Sequence, residues 1–172
     1  MNGHTARMKG KVMVESNERY CCRARNIPLA NEAARARAGE LNSISEYIYL
    51  SIVFAEAIPE LSKHFEGLAM EEMHHHRALG ELILRLGGDP AERSAVRNSG
   101  RINLCEDRDS RAPVAAARAL KNNIADERRA AENYRRLALI AERCGDLSAA
   151  ALFSKHAADE ERHAYQQEKM LS

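Results

Sequence analysis

Apolar residues recur every three or four positions along most of the chain after residue 28, and this period is typical of amphipathic helices. Glycine, proline and polar residues interrupt the period at three places: "AIPE" at residues 57–60, "GGDP" at 87–90 and "CGD" at 144–146. Such residues end one helix and begin the next. The pattern predicts four helices, over about residues 29–57, 60–86, 113–144 and 147–170.

The connections between the predicted helices differ in length. Residues 88–112 show no period and form a long connection, whereas the other two turns are short. Short turns make antiparallel neighbours, and a long connection can cross from one hairpin to the other. The sequence therefore predicts an all-α four-helix bundle, over residues 29–172, in which a long crossover joins two antiparallel hairpins. Residues 1–28 are polar, partly basic and weakly periodic, so we expect an irregular N-terminal arm there.

Composition narrows the possible partners. The chain has 172 residues, enough for one domain with a sizeable core, and its net charge of +1 gives no overall field that attracts nucleic acid or a membrane. No apolar run reaches the ~20 residues needed to cross a bilayer, and the N-terminus lacks the apolar segment of a signal peptide. We therefore expect a cytoplasmic protein with no nucleic-acid or membrane partner. The cysteines include no CxxC pair, which excludes a zinc ribbon or a rubredoxin-type iron site.

Polar residues interrupt the apolar stripe of the second predicted helix. Glu72 and His75 fall in the same register as Leu68, Leu79 and Leu82, where the core is expected. A buried carboxylate is costly unless something pairs with it.

The same interruption occurs in both halves of the chain, as an internal repeat. Each half has a glutamate, a tyrosine seven residues later, and a Glu-x-x-His pair about 32 residues after the first glutamate. The residues of the first half are Glu40, Tyr47, Glu72 and His75, and those of the second half are Glu127, Tyr134, Glu160 and His163.

Four carboxylates and two imidazoles are thus expected to converge on the axis of the bundle. Four glutamates in one core would repel each other, whereas two divalent cations balance their charge. Residues three apart share a helix face, so each Glu-x-x-His pair can bind one ion, with a glutamate from another helix. The sequence predicts a two-metal site with six ligands: Glu40, Glu72, His75, Glu127, Glu160 and His163.

Three further residues lie in the core register near these ligands. Tyr47 and Tyr134 are candidates for a catalytic contribution, because their hydroxyls can bond to ligand carboxylates and tune the metal; plain core tyrosines are the alternative. His156 lies one heptad before His163. We expect His156 to be a core or supporting histidine rather than a seventh ligand.

These motifs resemble those of the ferritin-like superfamily, particularly bacterioferritin and the erythrin domain of rubrerythrin. The resemblance covers about residues 30–170 and implies a ferritin-like four-helix bundle. It also implies that Glu72 and Glu160 bridge the two metals, while each other ligand binds a single ion. The segments that carry the resemblance are "GELNSISEYIYL", "MEEMHHHRALGELILRLGGDP", "ADERRAAENY" and "ADEERHAYQQEKML".

The resemblance implies a di-iron ferroxidase or peroxidase that reduces O2 or H2O2 with Fe(II). Iron is the expected metal, with manganese or zinc as alternatives, because the ligand types do not separate them. A manganese catalase-like enzyme and a non-enzymatic metal-binding protein are the alternative functions. An external electron donor is expected, together with a homodimer or larger homo-oligomer.

The sequence departs from the resembling families in two respects. The chain ends at Ser172, directly after the fourth predicted helix, so we do not expect the cage that a fifth helix helps to build in ferritins. Met73 falls where bacterioferritin has its haem methionine. A methionine beside a motif glutamate more often packs against a neighbouring helix, so haem is not expected.

Overall fold

The computed structural model describes residues 26–91 and 108–171, with side chains from residue 111 onward in the second range. These ranges contain four helices and no strand, which confirms the all-α fold. The helices are α1 (Ile27–Phe54), α2 (Pro59–Arg85), α3 (Arg108–Arg143) and α4 (Leu147–Leu171). Helix α1 packs along α2 and α3 packs along α4, so the chain forms two hairpins that meet mainly through α1 with α3 and α2 with α4.

Local chemistry explains where α1 and α2 begin. Helix α1 begins at Ile27, two residues before the prediction, because the side chain of Asn26 accepts a hydrogen bond from the backbone N–H of Leu29 at 3.1 Å. This N-cap satisfies one of the unpaired amides of the first turn. Helix α2 begins at Pro59, where a missing N–H costs nothing. Residues 1–25 lie outside the described residues, so the irregular arm stays a prediction.

The predicted start of the third helix was wrong. Helix α3 begins at Arg108 rather than near Pro113, and Pro113 lies inside the helix. The proline lacks only the N–H that would bond to the carbonyl of residue 109, close to the start of the helix, so the helix tolerates it there. The connection between the hairpins is therefore shorter than predicted. Residues 92–107 of this connection lie outside the described part of the chain.

The apolar core is divided into two clusters by a polar layer at mid-height of the bundle. One cluster contains Leu79, Tyr134 and Phe153, and the other contains Phe54 and Phe65. All five side chains are almost fully buried. Burial of each such side chain contributes roughly 1.5–3 kcal/mol, so the two clusters hold the helices in register on both sides of the polar layer. No helix in the described ranges is long and apolar enough to span a bilayer.

One ion pair joins the ends of the two hairpins. Arg85 near the end of α2 donates two hydrogen bonds to the carboxylate of Asp146, at 2.8 and 3.1 Å. The same carboxylate accepts a hydrogen bond from the N–H of Ala149 at 3.0 Å and thus caps α4. The turn before it uses Gly145 at φ 74°, a backbone conformation that favours glycine.

We expect Asp146→Ala to lower the free energy of unfolding by about 1–2 kcal/mol, because it removes the cap of α4. Asp146→Asn keeps a capping oxygen and loses only the charge, so its loss should be smaller. Glu81→Ala is the control, since it removes an exposed ion pair with Arg77 worth roughly 0–1 kcal/mol. Urea denaturation followed by circular dichroism measures all three. An Asp146→Ala loss no greater than that of Glu81→Ala would contradict the capping role.

Candidate metal centre

The structure brings all six predicted ligands together in the polar layer. They come from the four helices at the height where the apolar clusters are interrupted. Their role as ligands stays a prediction, but their common burial is observed. The exposed fractions are 5% for Glu40, 1% for Glu72, 3% for His75, 4% for Glu127, 1% for Glu160 and 0% for His163.

Two of the carboxylates lie between the two imidazoles. The Nδ1 atom of His75 lies 3.0 Å from Oε2 of Glu72 and 3.1 Å from Oε1 of Glu160. The Nδ1 atom of His163 lies 3.1 Å from Oε1 of Glu72 and 3.3 Å from Oε2 of Glu160. Each of these two carboxylates therefore presents one oxygen to each imidazole. This is the arrangement that a carboxylate bridging two metal ions needs.

The ligand atoms form two overlapping groups, and within each group all atoms lie within 4.8 Å of one another. Both groups contain three carboxylates and one imidazole, and both contain Glu72 and Glu160. Oxygen donors with one imidazole suit iron, manganese or zinc. The first group is Glu40, Glu72, His75 and Glu160, and the second is Glu72, Glu127, Glu160 and His163.

Several of these atoms are buried without a hydrogen bond. Among the described residues, Oε1 of Glu72, Oε1 of Glu160 and Nδ1 of His163 have no hydrogen-bond partner, although they lie close to other polar atoms. A buried polar atom without a partner costs about 1–3 kcal/mol, and a cation bound by these atoms would remove this cost. The residues therefore fit a pair of metal ions.

The outer nitrogen of each imidazole is held by a carboxylate of the opposite hairpin. Nε2 of His75 lies 3.2 Å from Oδ2 of Asp159, and Nε2 of His163 lies 3.1 Å from Oε2 of Glu71. Donation from Nε2–H leaves the lone pair of Nδ1 facing the polar layer, as a metal ligand requires. Sequence reasoning missed Asp159 and Glu71. The signal was present, since an acidic residue directly precedes both motif glutamates.

One arginine links these two outer carboxylates. Arg162 donates a hydrogen bond to Oε2 of Glu71 at 2.6 Å and another to Oδ1 of Asp159 at 2.9 Å. Its side chain is 41% exposed. The orientation of both imidazoles therefore depends on a group at the surface of the bundle.

The two predicted tyrosines bond across the hairpins. The hydroxyl of Tyr47 on α1 donates to Oε1 of Glu127 on α3, and the hydroxyl of Tyr134 on α3 donates to Oε1 of Glu40 on α1. The spacing of seven between glutamate and tyrosine thus lets each helix supply one carboxylate and one hydroxyl. The catalytic contribution of the tyrosines stays a prediction.

Burial and the neighbouring charges together raise the pKa values of Glu40, His75 and His163 in the polar layer. Burial raises the pKa of Glu40 well above its ordinary value, and the charges of Glu72 and Glu160 raise it further. Burial alone lowers the pKa of His75 and His163, but the carboxylates around them outweigh burial and raise these values to about 9 and about 11. Without metal, protons on the imidazoles therefore compensate the carboxylates.

Met73 does not pack in the core. Its side chain is 39% exposed on α2 of this single chain. The expectations that Met73 packs against a neighbouring helix and that no haem binds stay predictions.

The chain belongs to the ferritin-like domain family, whose match covers residues 34–172. This finding confirms the resemblance drawn from the motifs. A search of curated proteins finds no match.

Two solved bacterioferritin structures share the fold at 21% sequence identity. The protein from Desulfovibrio desulfuricans aligns with a TM-score of 0.70, over 86% of this chain and 80% of that chain, and its structure is described as showing the diiron site in different catalytic states. The protein from Rhodobacter capsulatus aligns with a TM-score of 0.71, over 87% of this chain and 86% of that chain, and is described as having a metal-free dinuclear site and haem iron. At this identity the likeness establishes the fold of the present chain.

We expect the metal-free protein to lose stability as pH rises from 6.5 to about 9. The pKa of His75 is raised on folding, so the stability that it contributes is complete below pH 6.5 and lost as pH rises through about 9. His163 continues the same trend towards pH 11. Melting temperatures in excess chelator, measured by circular dichroism at each pH, test this expectation.

Two controls accompany this measurement. The metal-loaded protein should melt higher, without the fall between pH 6.5 and 9, because bound metal holds the imidazoles neutral. His74→Gln changes an exposed histidine of the same helix and should leave the metal-free profile unchanged. Identical profiles with and without metal would contradict the interpretation.

Proposed function

We propose that the chain binds two divalent metal ions in the polar layer and acts as a di-iron oxidase or peroxidase that reduces O2 or H2O2. One observation carries the proposal: Glu72 and Glu160 each place one oxygen near His75 and the other near His163, at 3.0 to 3.3 Å, inside the core. Protons alone leave buried lone pairs without partners there, whereas two cations would satisfy them.

Charge and donor chemistry support two ions rather than one. Four carboxylates carry four negative charges, which two divalent ions balance. Glu40 with His75 would hold one ion and Glu127 with His163 the other, with Glu72 and Glu160 shared. The diiron site described for the Desulfovibrio desulfuricans bacterioferritin supports iron as the preferred metal.

The bound metals would supply the electrons of the reaction. Two Fe(II) ions supply two electrons, which with two protons reduce O2 to H2O2 or H2O2 to two waters. The protein supplies position and protons: Tyr47 and Tyr134 hold the carboxylates of Glu127 and Glu40 through their hydroxyl hydrogens. The six ligand residues are at most 5% exposed, so the site favours small oxidants.

Return of the iron to Fe(II) requires an electron donor from outside the chain. We further propose that the protein works in the cytoplasm as a homodimer or larger homo-oligomer. Ile48 and Ile52, one turn apart on α1, are 43% and 70% exposed and support an association surface.

Anaerobic titration with Fe(II), followed by O2 or H2O2, tests the proposed reaction. We expect two Fe(II) per chain and rapid oxidation seen as growing near-ultraviolet absorbance. Glu72→Gln and Glu160→Gln should each slow oxidation by about 100-fold, since an amide has only one oxygen for a metal and cannot bridge two ions through two oxygens. Glu66→Gln, an exposed glutamate on α2, is the matched control and should oxidise iron at the normal rate.

The same assay separates the alternative functions. Peroxide dismutation without a reductant after Mn(II) loading would favour a manganese catalase. Metal binding without turnover under either oxidant would leave a binding protein and overturn the redox proposal.

Tyr47→Phe and Tyr134→Phe should slow Fe(II) oxidation by about 10-fold while two Fe(II) still bind, because each change frees a ligand carboxylate without removing it. Tyr165→Phe is the control, since Tyr165 is 56% exposed. Stopped-flow rates and equilibrium dialysis give the two readouts. Unchanged rates in both variants would mean that the tyrosines are plain core residues.

A further inference from the structure

A third imidazole faces the polar layer beside the six predicted ligands. His156 on α4 is 2% exposed, and its ring stacks on that of His75 with centroids 4.1 Å apart. The ring of Tyr134 meets it edge-on at 5.2 Å. His156 therefore lies at the end of the layer where Glu40 and His75 lie.

His156 has no counterpart in the other half of the internal repeat. His156 precedes His163 by seven residues, and the corresponding position before His75 is Leu68. Leu68 is buried in the apolar core. The two halves of the chain thus supply the same residue type at each of the three pairs of predicted ligands, but a leucine and a histidine at this position.

The distances bring His156 within range of a shared ion. A ring nitrogen of His156, a ring nitrogen of His75 and a carboxylate oxygen of Glu40 all lie within 4.8 Å of one another. Ligands bound to one ion at about 2.0–2.2 Å lie no more than about 4.4 Å apart. The three atoms are therefore close enough for their side chains to converge on one ion.

The chemistry of the ring also suits a ligand. Nδ1 of His156 is buried and has no hydrogen-bond partner among the described residues. A buried imidazole nitrogen without a partner gains one when it binds a metal.

We propose that His156 is a third imidazole ligand, bound to the ion that Glu40 and His75 hold, so that the two metal positions are chemically unequal. The proposal rests on the proposed metal centre and reverses the sequence-based expectation that His156 is not a seventh ligand. Beside the predicted ligands of the other ion lies Gln167, whose Nε2 is 3.5 Å from Oε1 of Glu127. An amide donor there steadies a ligand and adds no nitrogen ligand, so the position near His156 binds its ion more tightly and fills first.

Zinc titration of the metal-free full chain labelled with ¹⁵N-histidine tests the proposal. Long-range proton–nitrogen spectra report the protonation and ligation of each ring nitrogen. We expect ring signals of His75 and His156 to move together with the first equivalent of Zn(II), and those of His163 with the second. If His75 and His163 move and His156 keeps its metal-free signals, the metal centre stands and the third ligand is overturned. If no imidazole signal moves, both proposals fail.

A variant gives an independent readout through affinity. His156→Leu copies the residue of the other half and fills the core, and it also assigns the His156 signals. We expect it to weaken one of the two Zn(II) binding steps by 10-fold or more and to leave the other within about 2-fold. His74→Leu is the matched control, since it removes an exposed histidine of α2, and it should leave both steps within about 2-fold. Equal weakening of both steps by His156→Leu, or none, would overturn the proposal.

Discussion

Repulsion among four buried carboxylates is the constraint on which the rest of the structure depends. Glu40, Glu72, Glu127 and Glu160 lie in one layer between two apolar clusters, where water cannot screen their charges. Without metal, protonated imidazoles and the raised pKa values of Glu40 and Glu127 offset this repulsion. Divalent ions would offset the repulsion among the carboxylates better, because they would also bind the buried polar atoms that have no hydrogen-bond partner. Folding and metal binding are therefore two responses to the same electrostatic problem.

The two hairpins complete each other at the site. Each tyrosine hydroxyl donates a hydrogen bond to a glutamate of the opposite hairpin. The Nε2 atom of each predicted ligand histidine likewise bonds to a carboxylate of the opposite hairpin. Neither hairpin contains a full ligand set with its supporting hydrogen bonds. The internal repeat in the sequence thus yields one shared site rather than two separate ones.

Sequence reasoning located the six residues that converge in the polar layer because helix geometry fixes spacings of three, four and seven residues on one face. It also identified Tyr47 and Tyr134, since the repeat placed them one heptad from a predicted ligand. It missed Asp159 and Glu71, whose contacts depend on how two helices are rotated against each other. The start of α3 before Pro113 was missed as well, because the proline falls early enough in the helix to be tolerated. Spacing along one helix carries no information on how two neighbouring helices are rotated against each other.

Arg162 connects the two halves of the site through hydrogen bonds to a carboxylate of each. Its guanidinium contacts Glu71 and Asp159 at once, and each of these carboxylates orients an imidazole of the opposite hairpin. A rotamer change of this half-exposed side chain would free Glu71 from its arginine partner, whereas Asp159 would keep the hydrogen bond that Lys155 donates to its Oδ2 at 2.7 Å. The orientation of His163 therefore depends on Arg162 more than that of His75 does, although the two rings hold equivalent positions in the internal repeat.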